Sequence, residues 1–198
     1  MSTAKMAENT GAAASEQRRH RAAVAQRLVD LAPAAVDVLD WDALDQAPAW
    51  LSLPEAAQLI LQARIGALLY APELRLWIDG PRLAAARALL GDAVLDDLLT
   101  QPEAAMPRGL VRSPRIDHAG EVAAQLRSAG LAVLLAAMPP GLLRAIVIAA
   151  TGATAASAMS AALAASLIAR GRALGQGGAQ PHAKAVAAAA GAAAACAA

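Results

Sequence analysis

The stretch from Leu53 to Leu99 constrains the fold most, because it holds several helix start and stop signals joined by very short turns. Pro54 followed by Glu55 is typical of a helix start, since proline suits the first turn and an early carboxylate complements the helix dipole. Pro72 predicts that this helix ends at about Tyr70. The pattern therefore predicts several helices packed through tight turns.

Two further helices are predicted in the same stretch. Asp79-Gly80-Pro81 is a start signal with proline at the first helical position, and Gly91 predicts the end of that helix. Asp92 then predicts the N-cap of another helix. The buried side of this last helix is predicted to consist of Val94, Leu95, Leu98 and Leu99. The helix that starts at Pro54 is predicted to expose a polar stripe, formed by Glu55, Gln58 and Gln62.

The composition favours an all-α fold class. Hydrophobic residues make up 58% of the chain, aromatic residues only 2%, and there is no Phe. Ala, Leu and Arg are good helix formers, so we expect an irregular multi-helix bundle with short turns. We predict a disordered lead-in over residues 1–14, a single helical domain over 15–170 with a loop at 101–117, and a flexible, low-complexity Ala/Gly-rich tail over 171–198.

Charge and reactive residues argue against nucleic-acid binding and catalysis. The formal net charge is +1, whereas a nucleic-acid binder usually carries a basic excess. His20, His118 and His182 lie far apart in the sequence, and Cys196 has neither a nearby base nor a second cysteine to pair with. The glycines follow no phosphate-loop pattern. We therefore expect a non-enzymatic protein with no metal or other cofactor, no small-molecule substrate and no nucleic-acid partner.

The stretch from Ala145 to Ala169 carries no charge and is about 25 residues long, enough for a helix to cross a bilayer. Its strongly apolar residues lie at the two ends, and its centre contains Thr151, Thr154 and Ser157 among alanines. We expect a helix packed against the rest of the protein or against a partner. The alternative is a small membrane-anchored helical protein with its span at about 145–169.

A distinctive order of features runs from Arg64 to Leu83, which reads RIGALLYAPELRLWIDGPRL. A helix ending in a small-residue-Leu-Leu pattern is followed by a short proline turn, then by L-R-x-x-I-D-G and a new helix. This order resembles the SctK (YscK-like) accessory proteins of bacterial type III secretion systems. The similarity is clearest over residues 50–100.

The resemblance implies a helical, virulence-related adaptor in protein transport, located in the cytoplasm at the cytoplasmic face of the inner membrane. There it would belong to the sorting platform and bridge an inner-membrane ring protein (SctD-like) and the pod protein (SctQ-like). The resemblance also implies no enzyme activity and no cofactor.

Four residues around the predicted turn are candidates for partner binding. Arg75, Asp79 and Arg82 have side chains able to meet a partner at the helix ends, and the alternative for each is a local salt bridge or cap that holds the turn. Trp77 is the fourth candidate, since tryptophan is favoured at binding hot spots. For Trp77 and for Ile78 the alternative is a place in the core.

Overall fold

The computed structural model describes residues 3–34, 41–100, 115–153 and 159–174. The regular secondary structure in these ranges is helical, with no strand, which confirms the all-α prediction. The described helices are α1 (Thr3–Leu31), α2 (Trp41–Asp45), α3 (Glu55–Leu74), α4 (Gly80–Leu90), α5 (Asp92–Thr100), a 3₁₀ helix (Ala119–Glu121), α6 (Val122–Ala137), α7 (Leu142–Thr151) and α8 (Ala161–Ala173).

The centre of the fold is the pair formed by α3 and α6, which pack more extensively against each other than any other two helices described. Two glycines allow their backbones to approach. A Cβ added at Gly66 would lie 1.9 Å from the carbonyl oxygen of Leu126, and one added at Gly130 would lie 1.9 Å from that of Gln62. Each helix therefore has a glycine at the place where the other helix crosses it.

Helix α8 packs against both members of this pair, again through a glycine. A Cβ at Gly171 would lie 2.6 Å from a side-chain carbon of Ile65. Ala164, Leu167 and Leu174 are buried on the same helix. The predicted tail from residue 171 is therefore wrong at its start, because Gly171 and Leu174 belong to the packed core. Residues 175–198 lie outside the described part of the chain.

Helices α4 and α5 pack on α3 and on each other, and α1 packs against α2 and α7. Gly91 separates α4 from α5 and has a φ of 83° and a ψ of 154°, a conformation that glycine adopts without strain and other residues rarely adopt. The predicted end of α4 is thus confirmed, and α5 begins at the next residue. Of the four residues predicted to be buried on α5, Leu99 is half-buried. The other three are buried: Val94, Leu95 and Leu98.

Two expectations for α3 are wrong. The helix does not end at Tyr70 but continues through Pro72 to Leu74. Proline in the last turn removes only one helical hydrogen bond, and the buried side chains of Ala71 and Leu74 hold that turn against the core. Gln58 is not part of an exposed stripe. It is 4% exposed, and its amide donates hydrogen bonds to two carbonyl oxygens of the preceding segment, those of Leu51 (3.2 Å) and Leu53 (2.9 Å).

The expected lead-in over residues 1–14 also differs from the structure, in which α1 begins at Thr3. The residues before the predicted start at Ser15 include many good helix formers and no proline, so the helix extends backward from its anchored part. That anchor consists of Val24 and Leu28, both fully buried.

The uncharged stretch is not one helix. Helix α7 ends at Thr151, Gly152 follows in a left-handed conformation (φ 63°), and α8 begins at Ala161. No helix in the described ranges is both long enough and apolar enough to cross a membrane. Most of the loop predicted at 101–117 lies outside the described residues, as do residues 154–158 of the uncharged stretch.

Candidate partner-binding site at the α3–α4 turn

The turn from α3 to α4 places one apolar side chain in the core and two in solvent. The amide of Leu76 donates to the carbonyl of Glu73 (2.9 Å), and that of Trp77 donates to Leu74 (3.2 Å), after which residues 77–79 form no regular secondary structure before α4. Trp77 is 6% exposed, whereas Leu76 is 78% and Ile78 98% exposed. The core position expected for Trp77 is confirmed and that of Ile78 is wrong, because the non-helical chain between the two helices buries Trp77 and leaves Ile78 in solvent.

Arg75 connects the turn to α5. Its guanidinium donates a hydrogen bond to the carbonyl oxygen of Leu98 at 3.2 Å. Leu98 lies in the last turn of α5, where carbonyl groups have no partner within the helix. The arginine therefore satisfies one of these groups and places a positive charge near the negative end of the helix dipole.

Asp79 and Arg82 form an ion pair that closes the turn from the other side. Arg82 Nε lies 3.0 Å from Asp79 Oδ2, and Arg82 Nη1 donates to the carbonyl oxygen of Ile116 at 2.8 Å. The same guanidinium lies 5.1 Å from the centre of the Trp77 ring, within the range of a cation–π contact. Arg82 thus holds Trp77 in place and joins the turn to the segment before the 3₁₀ helix.

A cavity of about 330 Å³ lies beside the turn. The end of α3 contributes Pro72 and Glu73 to its wall, and the other residues that line it are Leu76, Trp77, Arg82 and Arg115. Glu73 Oε1 accepts a hydrogen bond from the backbone amide of Ile116 at 3.1 Å. We call this space the turn cavity, and we call the exposed side chains of Leu76 and Ile78 the turn surface.

The structure brings the four candidate residues together in one turn and gives each an intramolecular role. Arg75, Asp79 and Arg82 make the local bonds that were the alternative to partner binding, and Trp77 is buried. Their contact with a partner stays a prediction. The residues available to a partner are those of the turn surface, which the sequence reasoning missed. The signal that could have found them is the run of three apolar residues from Leu76 to Ile78, just beyond the end of α3. Three consecutive side chains cannot all face one core.

A second group of polar residues joins α1 to α2. Arg21 forms a bidentate ion pair with Asp45, and His20 Nε2 lies 3.0 Å from the carbonyl oxygen of Ala47. The hydrogen bonds from Arg21 are the main cause that lowers the pKa of Asp45, with a further contribution from Gln17. This group ties α1 to the rest of the fold. Nowhere in the described ranges do three His, Cys, Asp or Glu side chains lie close enough to hold a metal ion.

Comparison of the chain with protein-family models, with curated proteins and with solved structures found no match. The function of the protein is therefore inferred from the residues of this chain and from the geometry of the turn.

Proposed function

We propose that the protein is a non-enzymatic, helical adaptor of a bacterial type III secretion sorting platform. In this role it binds at the cytoplasmic face of the inner membrane and bridges the SctD-like ring protein and the SctQ-like pod protein. The observation that supports the proposal most is the turn surface, because two large apolar side chains are exposed to solvent at a turn held by core packing and hydrogen bonds.

The rigidity of the turn favours binding. Trp77 anchors it in the core, Arg75 ties it to α5, and Arg82 ties it to Ile116. A surface that is already ordered loses less conformational entropy when a partner covers it. Leu76 and Ile78 would then be removed from water, and fully burying a side chain of this kind contributes about 1.5–3 kcal/mol.

The resemblance to the SctK family points to the same segment. The residues that carry it run from Arg64 to Leu83, and this range contains the end of α3, the turn surface and the start of α4. The features that make the sequence similar are thus the ones that build the exposed turn. This coincidence supports the assignment of the turn surface to the adaptor's partner contacts.

Co-purification tests the proposal. The full chain is mixed with the tagged cytoplasmic domain of the ring protein and with the pod protein, both from the bacterium that encodes the chain. We expect the native chain to be retained by both, and Ile78→Asp to lose at least one of them. The matched control is Leu142→Asp, since Leu142 is also an exposed apolar side chain (49%) but lies on α7.

Both variants are first compared with the native chain by circular dichroism. We expect unchanged helicity, because Ile78 is 98% exposed and Leu142 is 49% exposed. Recovery of neither the ring protein nor the pod protein with the native chain would refute the proposed function. Equal loss of binding in the two variants would refute the assignment to the turn surface.

A further inference from the structure

We infer that the turn cavity binds a short segment of a partner protein in which a large apolar side chain is followed closely by a carboxylate. The inference rests on the proposed role as an adaptor and adds the chemistry of the segment that is recognised. Two observations carry it: the size and lining of the cavity, and the charge at its wall.

The cavity is suited to an apolar side chain. Its volume is about 330 Å³, and Pro72, Leu76 and Trp77 form the apolar part of its wall. Leu76 is 78% exposed, so the cavity is bordered by apolar surface that extends into solvent toward Ile78. An apolar side chain inserted here would cover Leu76 and remove its own surface from water at the same time.

The charge at the wall selects the partner's polar group. Glu73 already accepts from the amide of Ile116, and Arg82 is committed to Asp79 and to the Ile116 carbonyl. Arg115 is exposed and forms no ion pair with any described carboxylate. The group complementary to this guanidinium is a carboxylate, which arginine binds through two parallel hydrogen bonds.

The same charge argues against a second copy of the chain as the occupant. A symmetric dimer through this surface would bring the Arg115 side chains of both copies into one interface, where like charges repel. A separate partner that carries Asp or Glu next to its apolar anchor meets no such penalty. The occupant is therefore a separate partner with an acidic, apolar segment.

The test uses the full chain, immobilised and exposed to random peptides displayed on phage. We expect the selected peptides to share a large apolar residue (Leu, Ile, Met or an aromatic) within a few positions of Asp or Glu. The best peptide is then synthesised, and its affinity is measured by fluorescence anisotropy at low and at high salt. Leu76→Asp and Arg115→Glu are each expected to weaken binding about tenfold or more. Leu76→Asp places a charge in the apolar wall, and Arg115→Glu turns the attraction to the carboxylate of the peptide into repulsion. Arg172→Glu on α8 is the matched control and is expected to change the affinity by less than about twofold.

A second readout shows where the peptide lies. The chain has three tryptophans, so its indole N–H groups give three resolvable signals in a ¹⁵N–¹H spectrum. Trp41→Phe and Trp50→Phe assign them. We expect the peptide to move the signal of Trp77 and to leave that of Trp50 in place, because Trp50 is not among the residues that line the turn cavity.

The outcomes separate this inference from the proposed function. Selection of no peptide, a basic consensus, or a Trp77 signal that the peptide does not move would each overturn the inference. A dimer in light scattering that Leu76→Asp dissociates would also overturn it, by showing that a second copy occupies the surface. If the acidic, apolar consensus appears while ring and pod proteins fail to bind, the inference stands and only the proposed function is refuted.

Discussion

Gly130→Ala tests the close crossing of α3 and α6, the most extensively packed pair of helices described. The added Cβ would lie 1.9 Å from the carbonyl oxygen of Gln62, 2.6 Å from its carbonyl carbon and 2.8 Å from its Cα. A carbon and a carbonyl oxygen are normally at least about 3.3 Å apart, so the helices would have to separate by roughly 1.4 Å. The opposing atoms belong to backbone and cannot rotate away.

The magnitude follows from two opposing effects. Overpacking a dense core costs about 1–3 kcal/mol, and the upper end applies here because a backbone must move and neighbouring contacts of buried residues such as Leu126 are lost. Alanine returns about 1 kcal/mol because it is a better helix former than glycine. We therefore expect a net loss of about 2 kcal/mol in the free energy of unfolding.

Urea unfolding followed by circular dichroism measures this loss. With a slope of about 2 kcal/mol per M, the midpoint should fall by about 1 M. The control is Gly120→Ala, since a Cβ there meets no heavy atom within 4 Å and the residue has no positive φ. We expect the control to stay within about 0.5 kcal/mol of the native chain. A Gly130→Ala variant as stable as this control would refute the reasoning about the crossing.

Three other substitutions test separate parts of the fold, each by urea unfolding. Gln58→Leu should lower the free energy of unfolding by about 1–3 kcal/mol, because it leaves the Leu51 carbonyl without its donor in the core; no loss would contradict this role. Gly91→Ala should cost about 1–3 kcal/mol, since only glycine adopts its φ of 83° with ψ of 154° freely, and a more stable variant would contradict it. Asp45→Asn should lower stability at pH 7, and the chain should lose this difference as the pH falls below about 4. The sign follows from the lowered pKa of Asp45. The ionised carboxylate stabilises the fold above its unfolded-state pKa, and this contribution is lost when the group is protonated below its folded-state pKa. A stability difference that stays unchanged down to pH 3 would contradict this role.

The local signals in the sequence were sufficient for several helix boundaries. Pro54 with Glu55, Gly80 with Pro81, and Gly91 each act through the backbone of their own residue, so their effect does not depend on the rest of the fold. The structure accordingly begins α3 at Glu55, begins α4 at Gly80 and ends it before Gly91.

Features that depend on other helices were not predictable in the same way. Pro72 stays within α3 because distant core residues hold the last turn, and propensity alone argues against this. Gly66 and Gly130 look like ordinary helix-weakening glycines until the two helices are placed together. Gln58 looks solvent-exposed by its residue type, yet it bonds the segment that precedes its own helix.

The sequence predicts a candidate site at the turn between α3 and α4, and partner binding at this turn stays a prediction. Three of the four candidates are charged, because charge at a helix end is the usual sign of a surface, and the fourth is Trp77. In the structure, Arg75, Asp79 and Arg82 are used within the molecule, and Leu76 and Ile78 face solvent. Which member of an apolar run faces the core depends on the backbone conformation after α3. Local sequence signals do not specify that conformation.

Site-specific crosslinking in living bacteria tests most directly whether the turn surface binds a partner in the secretion apparatus. Ile78 is replaced by the photo-crosslinking amino acid p-benzoylphenylalanine, and Leu142 on α7 is replaced in the same way as the control. We predict that light joins the chain to the ring or pod protein from position 78 and not from position 142. Crosslinks to neither protein from position 78, or equal crosslinks from both positions, would contradict the account.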